Sequence, residues 1–187
     1  MTRLILVRHG ETDWNVEGRY QGQSDVPLNK AGRLQAAEMR PQIQALLPAA
    51  IYSSDLVRAR ETAEILAGPL GIPVQVDPRF REIHLGEWEG LLFDEIQARY
   101  SGLLKLRRED PAKVSAPGGE TVAHVRDRVL AATKEIIEVH GDQTVVVVAH
   151  GLPLAILIAL HQHRPLTDVW DLIPENLSLY EVRMNRD

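Results

Sequence analysis

Two short apolar runs, each followed by a His-Gly pair, constrain the fold of this chain most strongly. Residues 4–7 are Leu-Ile-Leu-Val followed by Arg-His-Gly, and residues 145–148 are four valines followed by Ala-His-Gly. Continuous runs of branched residues are typical of strands buried on both faces of a parallel sheet. Because ligands bind beyond the carboxyl ends of such strands, we expect His9 and His150 to meet at one sheet edge. The glycine after each histidine would let the backbone approach a ligand closely.

The rest of the chain alternates between strand and helix patterns. Further strands are predicted at residues 50–52 and 74–76, and the alternating pattern of residues 177–182 predicts a closing strand. Helices are predicted over residues 30–47, 56–67, 93–100, 121–140 and 152–161. Strands that alternate with helices predict an α/β fold, a three-layer α/β/α sandwich around a mostly parallel central sheet.

Local signals refine this outline. Asn29 is a suitable N-cap, Pro41 predicts a kink or break in the first long helix, and Gly141 suits a left-handed C-cap. Residues 101–117 lack clear periodicity, so a lid or substrate loop is expected at about residues 91–117. The whole chain, residues 1–187, is predicted to be a single domain.

Composition narrows the function classes. A net charge of −5 makes non-specific binding to nucleic acid or to an anionic membrane improbable. The absence of cysteine excludes disulfides and thiolate metal sites. The N-terminal apolar run is too short for a signal peptide, and no run approaches the roughly 20 apolar residues of a membrane span. We therefore expect a cytoplasmic enzyme with a small-molecule partner, and whether it forms a homodimer stays open.

Arginines near the two histidines make an anion the expected ligand. Arg8 adjoins His9, and Arg58 follows the second predicted strand at the start of a helix. Guanidinium groups offer paired donors that suit phosphate oxygens, and the helix start after His150 presents backbone amides that favour an anion. The sequence therefore predicts a compact cationic pocket in an acidic protein.

Residues 6–15, Leu-Val-Arg-His-Gly-Glu-Thr-Asp-Trp-Asn, resemble the signature of the histidine phosphatase superfamily, which includes cofactor-dependent phosphoglycerate mutase. Later segments resemble further family blocks in the same order, at residues 21–25, 27–29, 53–59, 81–90, 117–121 and 149–151. The resemblance covers nearly the whole chain and implies a phosphoglycerate mutase-like fold. The blocks Gly-Glu-Trp-Glu-Gly and Pro-Gly-Gly-Glu are most similar to the small broad-specificity and α-ribazole phosphatase branch.

The resemblance also implies roles for individual residues. His9 would be the nucleophile that becomes phosphohistidine, with its other ring nitrogen donating to a backbone carbonyl. Glu82 would protonate the leaving oxygen and then accept a proton from water. The phosphoryl oxygens would be held by Arg8, Arg58 and His150. Further contacts to the phosphoryl group or the substrate are expected from Asn15, Gln21, Gly22, Ser24 and Gly151.

Three carboxylates are candidates for the proton donor on sequence grounds. Glu87 and Glu89 lie close to Glu82, and any of the three could be a solvated carboxylate. The family block favours Glu82. His84 lies beside it, and a structural role for that histidine is at least as plausible as a catalytic one.

Three functions fit these motifs: a phosphomonoesterase, a phosphoglycerate mutase, and a non-catalytic module that binds phosphorylated ligands. The module is disfavoured because every catalytic position matches. Residues 91–116 form a shorter segment than the one that covers the substrate in mutases, which favours the phosphatase. Arg107 and Arg108 could grip a substrate carboxylate, as in mutases, or could form a solvated basic turn.

No cofactor is expected for the phosphatase, and 2,3-bisphosphoglycerate would be needed only by a mutase. His161 and His163 have a metal-like spacing but lack a nearby third ligand, so no metal site is expected. The preferred phosphomonoester cannot be deduced from the sequence.

Overall fold

A five-stranded sheet organises the fold in the computed structural model, which describes residues 1–185. Residues 186 and 187 of the predicted domain lie outside the described residues. The strands are β1 (Thr2–Arg8), β2 (Ala50–Ser53), β3 (Val74–Val76), β4 (Thr144–Ala149) and β5 (Leu179–Met184), in the order β3-β2-β4-β1-β5. The first four are parallel, and β5 pairs with β1 in the antiparallel direction. The predicted mostly parallel α/β fold is confirmed.

The continuous apolar runs arise because both faces of the sheet are covered. In β1, Leu4 and Leu6 belong to one buried core, whereas Ile5 and Val7 belong to another. The valines of β4 divide between the same two cores. Successive side chains of a strand point to opposite faces, so a strand between two cores must be apolar at every position.

Residues 1–185 form six α-helices, and the longer ones cover the two faces of the sheet. They are α1 (Asp13–Glu17), α2 (Lys30–Ala45), α3 (Val57–Ala67), α4 (Phe93–Glu109), α5 (Val122–His140) and α6 (Gly151–His161). Residues of α2 and α3 pack in the core on one face of the sheet, and residues of α5 and α6 pack in the core on the other. Among residues 1–185, no helix has the length and apolar character needed to cross a membrane.

Strand register brings the carboxyl ends of the central strands together. Arg8 pairs with Ala149 in the parallel ladder, so His9 and His150 each follow at the same level on neighbouring strands. The His9 amide donates to the Ala149 carbonyl at 3.0 Å. On the other side of β4, the Ser54 amide donates to a β4 carbonyl, so the chain that leads into α3 emerges at the same edge.

The first long helix differs from the prediction. Asn29 caps α2 as expected, with its side chain accepting a hydrogen bond from the Gly32 amide. Pro41, however, lies inside one continuous helix, so the predicted break is wrong. The five-residue α1 was not predicted, although Thr12 and Asn15 form a capping box at its start.

The predicted irregular segment after residue 100 is largely helical. The helix predicted over residues 93–100 continues to Glu109, with a non-helical backbone at Tyr100, where φ is −132° and ψ is 27°. Leu103 and Leu104 pack against the core, whereas Leu106 is exposed. The kink at Tyr100 shifts the apolar spacing between the two halves, which is why no single helical period spans the segment.

Two predicted boundaries also change. Gly141 follows α5 with φ 54° and ψ −119°, so its φ is positive but it does not adopt the predicted left-handed helical conformation. The closing strand begins at Leu179 rather than at residue 177. Leu177 has a positive φ of 52°, and its amide donates to the Arg8 carbonyl just before β5 begins.

Candidate active site

A cavity of about 250 Å³ lies at the carboxyl edge of the sheet. Segments from the β1–α1 loop, the start of α3, the start of α6 and the loop at residues 81–85 form its walls. We call residues 81–85 the acid loop. Eight of the ten predicted site residues line the cavity: Arg8, His9, Asn15, Gln21, Gly22, Arg58, Glu82 and Gly151.

His9 is buried at the base of this cavity. Its Nδ1 lies 2.7 Å from the Gly10 carbonyl oxygen, the backbone hydrogen bond expected for a nucleophilic histidine. A carbonyl can only accept, so Nδ1 carries the proton and Nε2 keeps its lone pair. Burial, and then the charges of Arg58 and Arg8, hold the pKa of His9 well below its usual range. The imidazole is therefore neutral and able to act as a nucleophile at Nε2.

His150 lies directly beside His9. The two ring centroids are 5.2 Å apart, and the rings are inclined at 56°. Burial, followed by the charge of Arg58, keeps the pKa of His150 well below its usual range. Neither ring nitrogen of His150 has a hydrogen-bond partner among residues 1–185. A buried polar group without a partner is unfavourable, so this ring is suited to hydrogen-bonding a ligand oxygen.

Arg8 and Arg58 supply the positive charge. Arg58 is 1% exposed and donates to the backbone carbonyls of Gly22 and Ser24, each at 2.8 Å. Arg8 donates to the carbonyl of Pro174 at 2.7 Å. Burial lowers the pKa of Arg58 to about 10, which still leaves its guanidinium charged at neutral pH, and burial also lowers the pKa of Arg8. In each, Nε is buried and has no partner in the described part of the chain.

Glu82 faces these cations from the acid loop. Its Oε1 accepts a hydrogen bond from the Ile83 amide at 2.9 Å, and both carboxylate oxygens lie 3.3–3.4 Å from the Leu152 amide in the first turn of α6. A methyl group built on Gly151 would lie 3.5 Å from Glu82 Oε2 and 3.9 Å from Arg8 Cζ. The carboxylate, the helix start and the Arg8 guanidinium therefore converge on one point.

The other two carboxylates near Glu82 have structural partners. Glu89 accepts from the amides of Gln23 and Leu85 and from the hydroxyl of Ser24, and Glu87 accepts from the phenol of Tyr100. Neither lines the cavity. Of the three candidate acids, only Glu82 is positioned to reach a ligand there.

Most of the residues predicted to face the substrate line the cavity, and one does not. Gln21 lines the cavity and its buried Oε1 has no partner among the described residues. Asn15 also lines the cavity, but its Oδ1 accepts hydrogen bonds from the amide and the hydroxyl of Thr12. Ser24, which was expected to face the substrate, does not line the cavity, and its hydroxyl donates to Glu89, so its contact with a substrate stays a prediction. Gly22 lines the cavity and binds Arg58 through its carbonyl.

The glycine after His9 has a different role from the one expected. A Cβ on Gly10 would lie 2.7 Å from the carbonyl oxygen of Gly32, at the start of α2. The missing side chain therefore allows close packing of two backbone segments rather than close approach of a ligand. The Gly10 amide donates to the hydroxyl of Thr62 on α3, which fixes the loop after β1 from a second side.

Arg107 and Arg108 were both considered for binding a substrate carboxylate, and the structure gives them different surroundings. Arg107 is 6% exposed and lies between Trp88 and Trp170, with Cζ 5.5 Å and 4.4 Å from the ring centroids. It lines the cavity, and burial lowers its pKa to about 10. Arg108 instead is exposed and pairs with Asp171. Arg108 is therefore a solvated residue and Arg107 is not, and both lie in α4 rather than in the turn that the sequence offered as one alternative.

The segment between α6 and β5 contributes cavity residues that sequence reasoning missed. Trp170 and Ile173 line the cavity, and the Asn176 amide group donates to the His9 carbonyl at 2.8 Å. Tyr20 lines the opposite wall. Outside the family blocks, neither spacing nor composition connected these residues to the histidines. Their only sequence signal was Trp170, the one tryptophan in the connection between α6 and β5.

Two exposed histidines lie away from this cavity. His161 is the last residue of α6, His163 lies two residues beyond it, and neither lines the cavity. Within residues 1–185, no group of three or more His, Cys, Asp or Glu side chains is arranged to hold a metal ion.

Comparison with known proteins decides the family. Residues 4–187 match the family described as histidine phosphatase superfamily, branch 1. The chain belongs to this superfamily. Its members act through a phosphohistidine, and the chain is a phosphoric monoester hydrolase of this type, as the sequence predicted.

Relatives with curated names include both phosphatases and a mutase. Phosphoserine phosphatase 1 of Hydrogenobacter thermophilus is 35% identical over 98% of this chain and 87% of its own length. The glucosyl-3-phosphoglycerate phosphatase of Mycolicibacterium vanbaalenii is 38% identical over 91% of this chain and 78% of its own. A probable phosphoglycerate mutase of Salmonella paratyphi C is 36% identical over 85% of this chain and 74% of its own.

Solved structures agree with the fold. YhfR of Bacillus stearothermophilus has a TM-score of 0.89 at 39% identity, covering 99% of this chain and 92% of its own. The α-ribazole phosphatase of Shigella flexneri has a TM-score of 0.87 at 26% identity, covering 98% of this chain and 91% of its own. The resemblance of this phosphatase to the small phosphatase branch is thus confirmed by structure as well as by sequence.

Proposed function

We propose that this phosphatase hydrolyses small phosphomonoesters in two steps, with His9 as nucleophile and Glu82 as proton donor, and without a metal ion or an added cofactor. The observation that carries this proposal is the neutral His9, whose Nδ1 is held by the Gly10 carbonyl while two guanidinium groups and Glu82 line the same cavity. The cytoplasmic location predicted from the sequence stays a prediction.

In the first step, the lone pair on His9 Nε2 attacks phosphorus and the bond from phosphorus to the ester oxygen breaks. The proton of the Glu82 carboxyl group passes to that oxygen, so the alcohol leaves neutral and Glu82 becomes a carboxylate. The product on the enzyme is phosphohistidine.

In the second step, water attacks the phosphohistidine. The Glu82 carboxylate takes a proton from the water, the phosphorus–nitrogen bond breaks, and inorganic phosphate forms. His9 returns to the neutral state with Nδ1 still donating to Gly10. The same side chain thus acts first as acid and then as base, as its location beside the cavity requires.

Negative charge on the transferred phosphoryl group is offset by the side chains around it. Arg8 and Arg58 are buried cations with unpartnered Nε atoms, and His150 has unpartnered ring nitrogens beside His9. Fixed donors in a site that excludes water stabilise developing charge more than solvent does. This arrangement supports a mechanism in which arginines do the work that a metal ion does in other phosphatases.

Trapping of the phosphoenzyme tests the proposal. The purified protein, treated with EDTA, is mixed with a ³²P-labelled phosphomonoester and quenched in base, which preserves phosphohistidine. We expect label on the wild type and on the exposed-residue control His161→Ala, and none on His9→Ala. Label on His9→Ala, or loss of turnover after EDTA that is restored by a divalent cation, would show that the mechanism is wrong.

Hydrolysis is favoured over isomerisation, but one observation supports the second candidate. Arg107 places a cation in the cavity that could hold the carboxylate of a phosphoglycerate. A panel of phosphomonoesters that includes 3-phosphoglycerate, with and without 2,3-bisphosphoglycerate, separates the two activities. We expect phosphate release to exceed isomerisation on every substrate, and the reverse would establish a mutase that needs the bisphosphate cofactor.

Arg107 also suggests the substrate class. Its Nε and Nη2 are buried without partners among the described residues, and two indole rings hold the guanidinium plane in place. A planar, fixed guanidinium suits a carboxylate through two parallel hydrogen bonds. Relatives named for phosphoserine and for glucosyl-3-phosphoglycerate act on phosphomonoesters that carry a carboxylate. The substrate class we propose is therefore a small phosphomonoester with a carboxylate.

A further inference from the structure

The acid loop lacks regular secondary structure where it carries Glu82. Residues 81–85 lie between the short 3₁₀ helices Pro78–Phe80 and Gly86–Trp88 and belong to neither a helix nor a strand. No ladder of the sheet therefore fixes the backbone of Glu82. Another part of the molecule must hold this backbone in place if the carboxyl group is to meet the leaving oxygen at a defined distance.

Arg128 on α5 binds the backbone in and beside this loop and pairs with Glu120. Its Nη1 donates to the carbonyls of Arg79 and Arg81 at 2.7 Å and 2.6 Å, and its Nη2 donates to the carbonyl of Glu82 at 2.9 Å. Nη2 and Nε also donate to the two carboxylate oxygens of Glu120, at 3.0 Å and 3.1 Å. These five hydrogen bonds use all five N–H groups of a guanidinium.

Glu120 extends the same network past Glu82. Its Oε2 accepts from the amide of His84 at 2.8 Å, and its own amide donates to the His84 carbonyl at 2.8 Å. Burial raises the pKa of Glu120, but hydrogen bonds from Arg128 and from the His84 amide outweigh burial and leave the pKa below its usual range. The carboxylate is therefore ionised at neutral pH and stays bound to Arg128.

The pair acts from outside the cavity. Neither Arg128 nor Glu120 is among the residues that line it, and their side chains are 18% and 24% exposed. Arg128 binds the backbone carbonyls of residues 79, 81 and 82, and Glu120 accepts from the backbone amide of residue 84. The pair therefore fixes the chain both before and after Glu82. The Gln23 side-chain amide also donates to the Glu82 carbonyl, at 3.1 Å, but Arg128 and Glu120 together bind the backbone at three residues of the acid loop.

We propose that Arg128, together with Glu120, is a positioning residue that holds Glu82 where it can protonate the leaving oxygen. This inference rests on the proposed role of Glu82 as the proton donor. Lysine keeps the charge but cannot donate along five directions, so it cannot span three carbonyls and a carboxylate. Loosening the loop should therefore slow proton transfer while leaving the phosphoryl pocket intact.

Leaving-group dependence separates proton donation from a general loss of structure. The constant kcat/KM reports on the first phosphoryl transfer, and 2,4-dinitrophenol leaves without protonation whereas phenol does not. For R128K and E120Q, we expect kcat/KM to fall about tenfold or more with phenyl phosphate and less than about threefold with 2,4-dinitrophenyl phosphate. Vanadate affinity, measured by thermal shift, should stay within about twofold of the wild type, since the pocket is unchanged.

Two controls make the result decisive. R126K changes an arginine on the same helix that pairs only with its exposed neighbour Asp127 among the contacts described, and it should match the wild type on both substrates. E82Q should discriminate between the two substrates, and R128K added to E82Q should discriminate no further. If E82Q discriminates but R128K and E120Q lose both substrates equally, or neither, the inference is wrong. If E82Q does not discriminate, the proton-donor assignment fails and the inference fails with it.

Discussion

His9 and His150 lie side by side at the ends of neighbouring parallel strands, with ring centroids 5.2 Å apart. Both are buried next to Arg58, and burial is the largest cause of the low pKa of each. Protonating either ring would place a third positive charge beside two guanidinium groups in a site removed from water. The folded phosphatase therefore contains two histidines that stay neutral well below the pH at which a free histidine becomes charged.

Folding stability should decrease with acidity because of this pair. Below pH of about 6.5 the unfolded chain takes up protons on both histidines, but the folded chain does not, so the free energy of unfolding falls as the pH falls. The slope that each histidine contributes is about half of its limiting value at pH 6.5 and approaches that limit, about 1.4 kcal/mol per pH unit, as the pH falls further. Guanidinium chloride unfolding at pH 7.0, 6.0 and 5.5 measures this slope. We expect His150→Gln to reduce the slope by the contribution of one histidine, and the exposed-residue control His161→Gln to leave it unchanged. An unchanged slope in His150→Gln would contradict the assignment of a low pKa to His150.

Anion binding should stabilise the protein through Arg58. Its guanidinium is buried beside Arg8, and like charges in a poorly solvated site repel each other until an anion neutralises them. Vanadate at about 100 times its Kd should add about 2.7 kcal/mol to the free energy of unfolding of the wild type. In Arg58→Met we expect the affinity for vanadate to fall about tenfold or more, because hydrogen bonds to a charged group contribute about 1.5–3 kcal/mol.

A matched control lies two residues along the same helix. Arg60 is exposed on α3 and pairs with Glu64, so Arg60→Met should bind vanadate like the wild type. Equal affinities for Arg58→Met and Arg60→Met would mean that Arg58 does not contact the phosphoryl group. Isothermal titration calorimetry and the shift in Tm provide independent measurements of the same affinity.

The sequence predicted those parts of the site that depend only on which residues directly follow a buried strand. A buried strand followed by His-Gly places a histidine at a sheet edge wherever the strand lies, so His9 and His150 could be placed without knowing the topology. The register between β1 and β4 then brings the two rings together. The same reasoning applied to Arg58, since the start of α3 follows β2 directly.

The features that the sequence did not reveal depend on contacts between distant segments. Ser24 is five residues before Asn29 in a loop without periodicity, and only the carboxylate of Glu89, 65 residues away in sequence, turns its hydroxyl from the cavity. For Arg107 the sequence left open a substrate-binding role or a solvated turn, and the packing of Trp170 on it comes from another segment of the chain. Such contacts are set by tertiary packing, which no local pattern encodes.

Arg107 should determine which phosphomonoesters bind well. Replacing it with leucine removes the cation that faces the cavity, so KM for a carboxylate-bearing substrate such as phosphoserine should rise about tenfold or more, because one charged hydrogen bond contributes about 1.5–3 kcal/mol. KM for phenyl phosphate, which has no second anion, should change little. The exposed neighbour provides the control: Arg108→Leu should leave both values near those of the wild type, because Arg108 pairs with Asp171 instead. A proportional rise for both substrates in Arg107→Leu would indicate lost packing between the two tryptophans rather than lost recognition.

The packing beside the acid loop can be tested by comparing a crowded glycine, Gly86, with Gly102, which has open space around it. Gly86 ends this loop with φ 53°, and a Cβ there would lie 2.0 Å from the carbonyl oxygen of Pro117. Gly86→Ala therefore forces both an unfavourable backbone conformation and a backbone clash, and we expect a loss of about 2–5 kcal/mol in the free energy of unfolding. Gly102 lies inside α4 with nothing within 4 Å of a Cβ, so Gly102→Ala should stabilise the protein by about 0.5–1 kcal/mol. Urea unfolding measures both changes.

Because the clash displaces the loop that carries Glu82, Gly86→Ala should also lose more kcat/KM with phenyl phosphate than with 2,4-dinitrophenyl phosphate. A variant that is destabilised but shows no such preference would mean that the acid loop tolerates displacement at residue 86 without moving the proton donor.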